Sequence, residues 1–227
     1  MSDNKELKIP YLPQLDLCEG ADEIINLLDE HAPRETIESV NWADKYPSKP
    51  LTTFTAAHSG TALYIDFFVR CNFLRAENYI NQSPVSQDSC VEFFVEPDGN
   101  LPYWNFEFNC IGTVNASVRS ERSNPRRLSD DEIKRIGRFP SCGTRPFREL
   151  EGLFSWNLLV SVPFDLLGID YRAGEPLTMR GNFYKCASAA TQPHFMSWAP
   201  IDTPEPDFHR PESVSYTHLT LPTTPYV

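Results

Sequence analysis

The chain has 227 residues, 41% hydrophobic and 22% charged, a mix that belongs to folded globular proteins and allows one large β domain or two small ones. A formal net charge of -11 argues against nucleic acid and anionic membrane surfaces as partners, because neutralising phosphates takes a clustered excess of Lys and Arg. Met1 to Lys8 carry no apolar signal region and no stretch approaches the roughly 18 apolar residues of a membrane span, which points to a cytoplasmic protein.

In chain order, Asp22 to His31 sets Ile24, Ile25, Leu27 and Leu28 among carboxylates and predicts a peripheral helix. The period then becomes two. Leu63, Ile65, Phe67 and Val69 alternate with Tyr64, Asp66, Phe68 and Arg70; Val91, Phe93 and Val95 alternate with Glu92, Phe94 and Glu96. Trp104, Phe106, Phe108 and Cys110 alternate with Tyr103, Asn105, Glu107 and Asn109. The basic stretch Ser117 to Arg127 predicts a long solvated loop, leading to a short helix opened by the capping-box pattern Ser129-Asp-Asp-Glu132. Two further strand runs follow, Phe154 to Val162 and Leu177 to Tyr184. Aromatic and β-branched strands separated by turn clusters predict an all-β antiparallel sandwich of jelly-roll type, with one or two short helices outside it.

If the Trp104 side faces the core, Asn105, Glu107 and Asn109 turn outward together at steps of about 7 Å, and Arg180, Asn182 and Tyr184 do likewise. Carboxylates, amides and a guanidinium in a fixed array match sugar hydroxyls, which both donate and accept, while an aromatic ring covers the sugar's C–H face. The same pattern also describes an ordinary solvated sheet face. The six cysteines, Cys18, Cys71, Cys90, Cys110, Cys142 and Cys186, show no C-x-x-C pair or short Cys/His spacing and read as reduced packing residues with no metal bound. Trp42, Trp104 and Trp156 read as core, and His194 and His209 as hydrogen-bonded structural residues.

The strings Asp88-Ser-Cys-Val-Glu-Phe-Phe94, Tyr103-Trp-Asn-Phe-Glu-Phe-Asn-Cys-Ile-Gly112, Asn182-Phe-Tyr-Lys-Cys186 and Ser197-Trp-Ala-Pro-Ile-Asp-Thr-Pro-Glu-Pro-Asp-Phe-His-Arg-Pro211 resemble carbohydrate-binding module family 9-like proteins of the Bacteroidetes type. The resemblance covers most of residues 5 to 212 and implies a jelly roll that binds a carbohydrate or glycoconjugate without catalysis. It makes Glu92 the first acceptor, with Asn109 and Arg180 or Asn182 as polar partners and Trp198 as a stacking ring, and the strand alternation adds Glu107 and Tyr184 to the candidate binding set. Sugar-binding relatives often carry a Trp six residues before this glutamate; here the position is Ser86. The resemblance also implies a Phe-Gly and a closing strand after Pro211, which this chain does not carry.

Two other readings compete. Glu92 and Glu107 on neighbouring strands resemble a glycosidase acid and base, which would need the two groups separated by roughly 5 to 9.5 Å across a cleft. A haem-binding sandwich would draw axial ligands from Met179, Met196, His194 and His209. A structural calcium ion would use Asp88, Glu96 and Asp98. Val214 to Thr223 resembles a translated sequencing-library adapter. Residues 1–212 are therefore expected to form a single carbohydrate-binding-like domain, and 213–227 a non-native tail with no hydrophobic period and no part in the fold.

Overall fold

The computed structural model describes residues 5–97, 102–120, 124–172, 175–209 and 217–221. In chain order its strands are β1 (Lys5–Lys8), β2 (Arg34–Thr36), β3 (Ser39–Val40), β4 (Leu51–His58), β5 (Ala62–Ala76), β6 (Cys90–Glu96), β7 (Tyr103–Asn109), β8 (Val114–Arg119), β9 (Arg126–Arg127), β10 (Gly137–Pro140), β11 (Phe147–Pro163), β12 (Leu177–Cys186), β13 (Phe195–Ser197) and β14 (Thr217–Leu221). The helices are α1 (Ala21–His31) and α2 (Asp130–Lys134). One sheet runs β1-β14-β12-β6-β7-β8-β9, with β13 and β3 joined through β12; the other runs β10-β11-β5-β4-β2. Among the described strands, pairings are antiparallel except β1 with β14. The fold is the expected sandwich.

Alternation decides what fills it. Phe54 of β4, Ile65 and Phe67 of β5 and Trp156 and Leu158 of β11 meet Phe93 of β6, Phe106 and Phe108 of β7 and Phe183 of β12, all nearly or fully excluded from solvent. The Phe54 and Phe183 rings stack at 3.8 Å, and Phe93 and Phe183 at 4.9 Å. Each such ring contributes roughly 1.5–3 kcal/mol through burial.

The outer faces are covered as well. α1 lays Ile24 and Leu28, with Leu12 and Leu15 ahead of it, on Ala57, Tyr64 and Leu159 of the smaller sheet. On the larger sheet Trp42, Ile201 and Phe208 pack over Phe94, Tyr103 and Tyr184. α2 is capped as its sequence predicts: Ser129 Oγ accepts from Glu132 N while Glu132 accepts from Ser129 N.

Among the strands of six or more residues, two escape the alternation because small residues blunt their period: β4 (Leu-Thr-Thr-Phe-Thr-Ala-Ala-His) and β8 (Val-Asn-Ala-Ser-Val-Arg). The loop expected from Ser117 therefore starts too early, since Ser117 and Arg119 pair with Asn105 and Tyr103 of β7. The tail needs a larger correction. Thr217–Leu221 is β14, seated between β1 and β12 with Leu219 and Leu221 fully buried. A two-leucine alternation is enough hydrophobic period to seat a short strand between two others. Gly181 admits it: a Cβ there would lie 2.7 Å from Leu219 Cδ1 and 2.9 Å from Phe94 O.

Two stability predictions follow from this packing. Leu219→Ala is expected to cost about 2–5 kcal/mol, as other buried leucines do, and to lower Tm in a thermal melt; an unchanged Tm would show that the segment is not built into the fold. Asp66, under α1, is 1% exposed, and burial pushes its carboxyl up to about 6 although Asn157 Nδ2 donates to it. The folded state thus holds the proton more tightly than the unfolded chain, so stability falls as pH rises from about 4 through 6, by up to about 3 kcal/mol. Asp66→Asn should raise stability at pH 8 and give no gain near pH 3.5 in denaturant titrations.

Candidate functional site

Register places the chemistry. Glu92 of β6 lies directly opposite Glu107 of β7 on one side and Tyr184 of β12 on the other. With Phe94, Tyr103 and Cys186 they share the outer face of the larger sheet, because side chains two apart on a strand point the same way. The segment from Ala199 to His209 crosses this face as a cover. Trp42 Nε1 donates to Thr203 O (2.6 Å), Ile201 N donates to Asn41 Oδ1 (2.9 Å), and Asn182 exchanges bonds with the Ala199 backbone (Nδ2 to O 3.1 Å, N to Oδ1 2.9 Å). Phe208 stacks on Tyr184 at 4.4 Å and the His209 ring on Phe94 at 5.0 Å.

The cover leaves one opening over the two glutamates. The cavity has a volume of about 320 Å³, at the small end of the range for ligand sites, and is bordered by Ser86, Glu92, Glu107, Cys186, Phe195, Asp207, Phe208 and His209. Glu92 and Glu107 are only 2% and 3% exposed at its floor, and Phe195 and Phe208 form an apolar wall. Another hollow, of about 410 Å³, runs beside Arg70, Leu153 and His194 at the edge of the smaller sheet. Exposed Lys49, Arg70 and Leu153 make it an open trough, and no pair of buried acids converges on it.

Two neighbouring carboxylates out of water disfavour double ionisation. Burial pushes the Glu92 carboxyl well up, and the Cys186 and Glu107 charges add to the effect. Burial also raises Glu107, against the lowering influence of Asn115, Arg119 and Asn105. Asn105 Nδ2 donates to Glu107 Oε1 (3.1 Å) and is itself oriented by Ser117 Oγ and Arg119 Nε, which donate to its Oδ1 at 2.6 and 2.9 Å. His209 Nε2 lies 3.5 Å from Glu107 Oε1. Two thiols bond Glu92: Cys186 Sγ at 2.9 Å and Cys90 Sγ at 3.9 Å from Oε1.

The structure brings together only part of the expected array. Tyr184 touches Glu92 in register but is fully buried under Phe208, so it supports the wall. Arg180 faces Glu96, four residues along β12 from Tyr184, roughly 13 Å away at strand rise. Asn182 ties down the cover. Asn109 closes a turn, donating to Asn78 O and Asp88 Oδ2 and accepting from Thr113 N. Trp198 is not a rim stacker. Its N–H pairs with Phe183 O, which sets the ring inside the sandwich against Phe54 and Phe183, with Nε1 donating to Glu35 Oε2 at 2.8 Å.

His209, expected as a hydrogen-bonded structural residue, also borders the cavity with Asp207, and both stand in the most distinctive string of the sequence. Ser86 borders it too, and Phe195 supplies an aromatic wall from β13. The haem ligands do not assemble: Met179 and Met196 lie in the main core, and His194 Nε2 is 2.9 Å from Lys185 Nζ. Of the calcium set, Asp98 lies outside the described residues. Asp88 is taken up by Glu77 N, Asn78 N and Asn109 Nδ2. The donor atoms that do converge belong to Cys90, Glu92 and Cys186, within 4.8 Å of one another.

No described helix is long and apolar enough to cross a membrane. A structure from Bacteroides uniformis, of a protein proposed to bind carbohydrate, is similar at 31% identity and a TM-score of 0.87, covering 97% of this chain and 100% of that one. Family 9 carbohydrate-binding modules from Caldicellulosiruptor kristjanssonii, solved with glucose and with cellotriose, share the fold at 12% identity and TM-scores of 0.59. The glucose complex covers 97% of both chains, and the cellotriose complex 96% of this chain and 93% of that one. No functionally curated protein matches the chain. The sequence profile of carbohydrate-binding family 9 matches residues 22–219, and the chain belongs to that family.

Proposed function

We propose that this chain binds a carbohydrate without catalysis and that the ligand enters the cavity over Glu92 and Glu107. The observation that carries the reading is the meeting of buried carboxyl acceptors with a phenyl wall in one ligand-sized opening of a family 9 chain. Glu107, Asp207 and His209 offer acceptors and a donor to hydroxyls, and Phe195 offers a face to sugar C–H groups. Ser86 leaves open the side on which relatives are expected to carry a Trp, so the ligand is gripped by one aromatic wall.

A glycosidase is a poorer reading of the same pair. Side chains on adjacent strands of one sheet project in parallel, so Glu92 and Glu107 meet a ligand from the same side, whereas acid and base must flank the scissile bond. Six free cysteines favour a reducing compartment and keep a cytoplasmic setting within the proposal.

Glucose and cellotriose, bound by the Caldicellulosiruptor modules, are the first probes for titration calorimetry, followed by a glycan array. At pH 8, above the value of about 7 to which burial raises the Glu107 carboxyl, Glu107→Gln should weaken binding of the best ligand by about 1.5–3 kcal/mol through loss of a charged acceptor. Phe195→Ala should cost about 1 kcal/mol of stacking. Unchanged affinity in both variants would move the ligand elsewhere, and hydrolysis of a reporter glycoside that Glu107→Gln abolishes would favour the enzyme.

A further inference from the structure

We infer that the floor of this cavity is also a binding site for a zinc-type divalent cation, held by Cys90 Sγ, Cys186 Sγ and the Glu92 carboxylate with its fourth position open to the cavity. The inference does not depend on the sugar proposal. Cys90 and Cys186 are direct cross-strand partners on β6 and β12, and Glu92 is the next residue on the same face as Cys90. These are central strands of the sheet, so the three side chains are held before any ion arrives.

Distances fit the ion. Tetrahedral zinc with bonds of about 2.3 Å to sulfur and 2.0–2.2 Å to oxygen sets neighbouring donors roughly 3.5–3.8 Å apart. Cys186 Sγ and Cys90 Sγ stand 2.9 and 3.9 Å from Glu92 Oε1, and all three donor atoms fall within 4.8 Å. A small rotation of Cys186 completes the geometry. Thiolates exclude calcium and magnesium, which take oxygen ligands, and select zinc, cobalt or copper(I).

Charge and access agree. Glu107 faces Glu92 from the next strand and adds a second acid beside the donor set. Both Cys186 and Glu92 border the opening, so an ion has a way in and a water or ligand oxygen can complete the shell from outside. Three protein ligands with an open fourth position are the arrangement of zinc sites that bind exchangeable ligands. On binding, the two thiol protons and the Glu92 carboxyl proton pass to solvent, and two metal–sulfur bonds and one metal–oxygen bond form, with no change of oxidation state.

The test is a Co²⁺ titration of the full chain, reduced and without an affinity tag or sugar. The expected result is one Co²⁺ per chain, with a thiolate-to-cobalt charge-transfer band and the visible bands of a tetrahedral site, both erased by Zn²⁺ and untouched by Ca²⁺. Cys186→Ser and Glu92→Gln should each weaken uptake by more than about 100-fold, beyond the loss typical of outer-shell changes. Cys18→Ser, at a distant and partly exposed thiol, should leave the spectrum unchanged. Absence of the charge-transfer band in the wild-type chain overturns the inference whatever the variants do. So does a band that persists in Cys186→Ser. Sugar binding measured in chelator then separates the two sites: affinity unchanged by metal removal leaves the carbohydrate reading intact, and failure of sugar binding leaves the cobalt result standing.

Discussion

The arrangement of β6 between β7 and β12 is the constraint on which the site rests. Its register sets Glu92 against Glu107 and Tyr184 and turns Val91, Phe93 and Val95 inward. Because side chains alternate, a slip of β6 by one residue would send Glu92 into the sandwich and turn Phe93 out. The hydrophobic core therefore determines more than stability. The stacking of Phe93 and Phe183 fixes the same register that gathers two carboxyls and two thiols on the opposite face.

That opposite face has its own small core, and this changes its chemistry. An exposed pair of glutamates on a sheet would be ionised and screened. Under Phe208, Ile201 and Trp42 the pair loses water, and its protons are held more tightly. The cover is held by backbone bonds to Asn41, Asn182 and Trp42, all of which are buried or half-buried polar groups with a partner. Desolvation at the cavity floor and order in the cover are thus one effect, since neither persists without the other.

The sandwich was legible because its long strands alternate cleanly: β5, β6, β7, β11 and β12 all appear in the sequence as period-two aromatic runs. Glu92 and Glu107 were legible for the same reason, and α1 and the capping box of α2 by their own local signals. What escaped is what alternation alone does not encode. It marks Asn109, Asn182 and Arg180 as outward, yet says nothing about the chain that later crosses that face and gives the two asparagines structural partners. Nor does it show that Trp198, just past β13, turns inward. His209 and Asp207 lie in irregular backbone, where no period identifies which side chains reach the cavity. The tail went unread because a resemblance in wording outweighed the two leucines that matter physically.

The cavity is bounded by parts of unequal rigidity. Its floor belongs to paired strands, while Pro206 to His209 come from irregular chain anchored at a few points. Substitutions in those four residues alter the shape and polarity of the wall without disturbing a ladder bond, so recognition can change while the paired strands keep their register. Members of such a family would be expected to diverge in ligand preference chiefly through this short stretch and the residue at Ser86, with the paired acids beneath changing slowly.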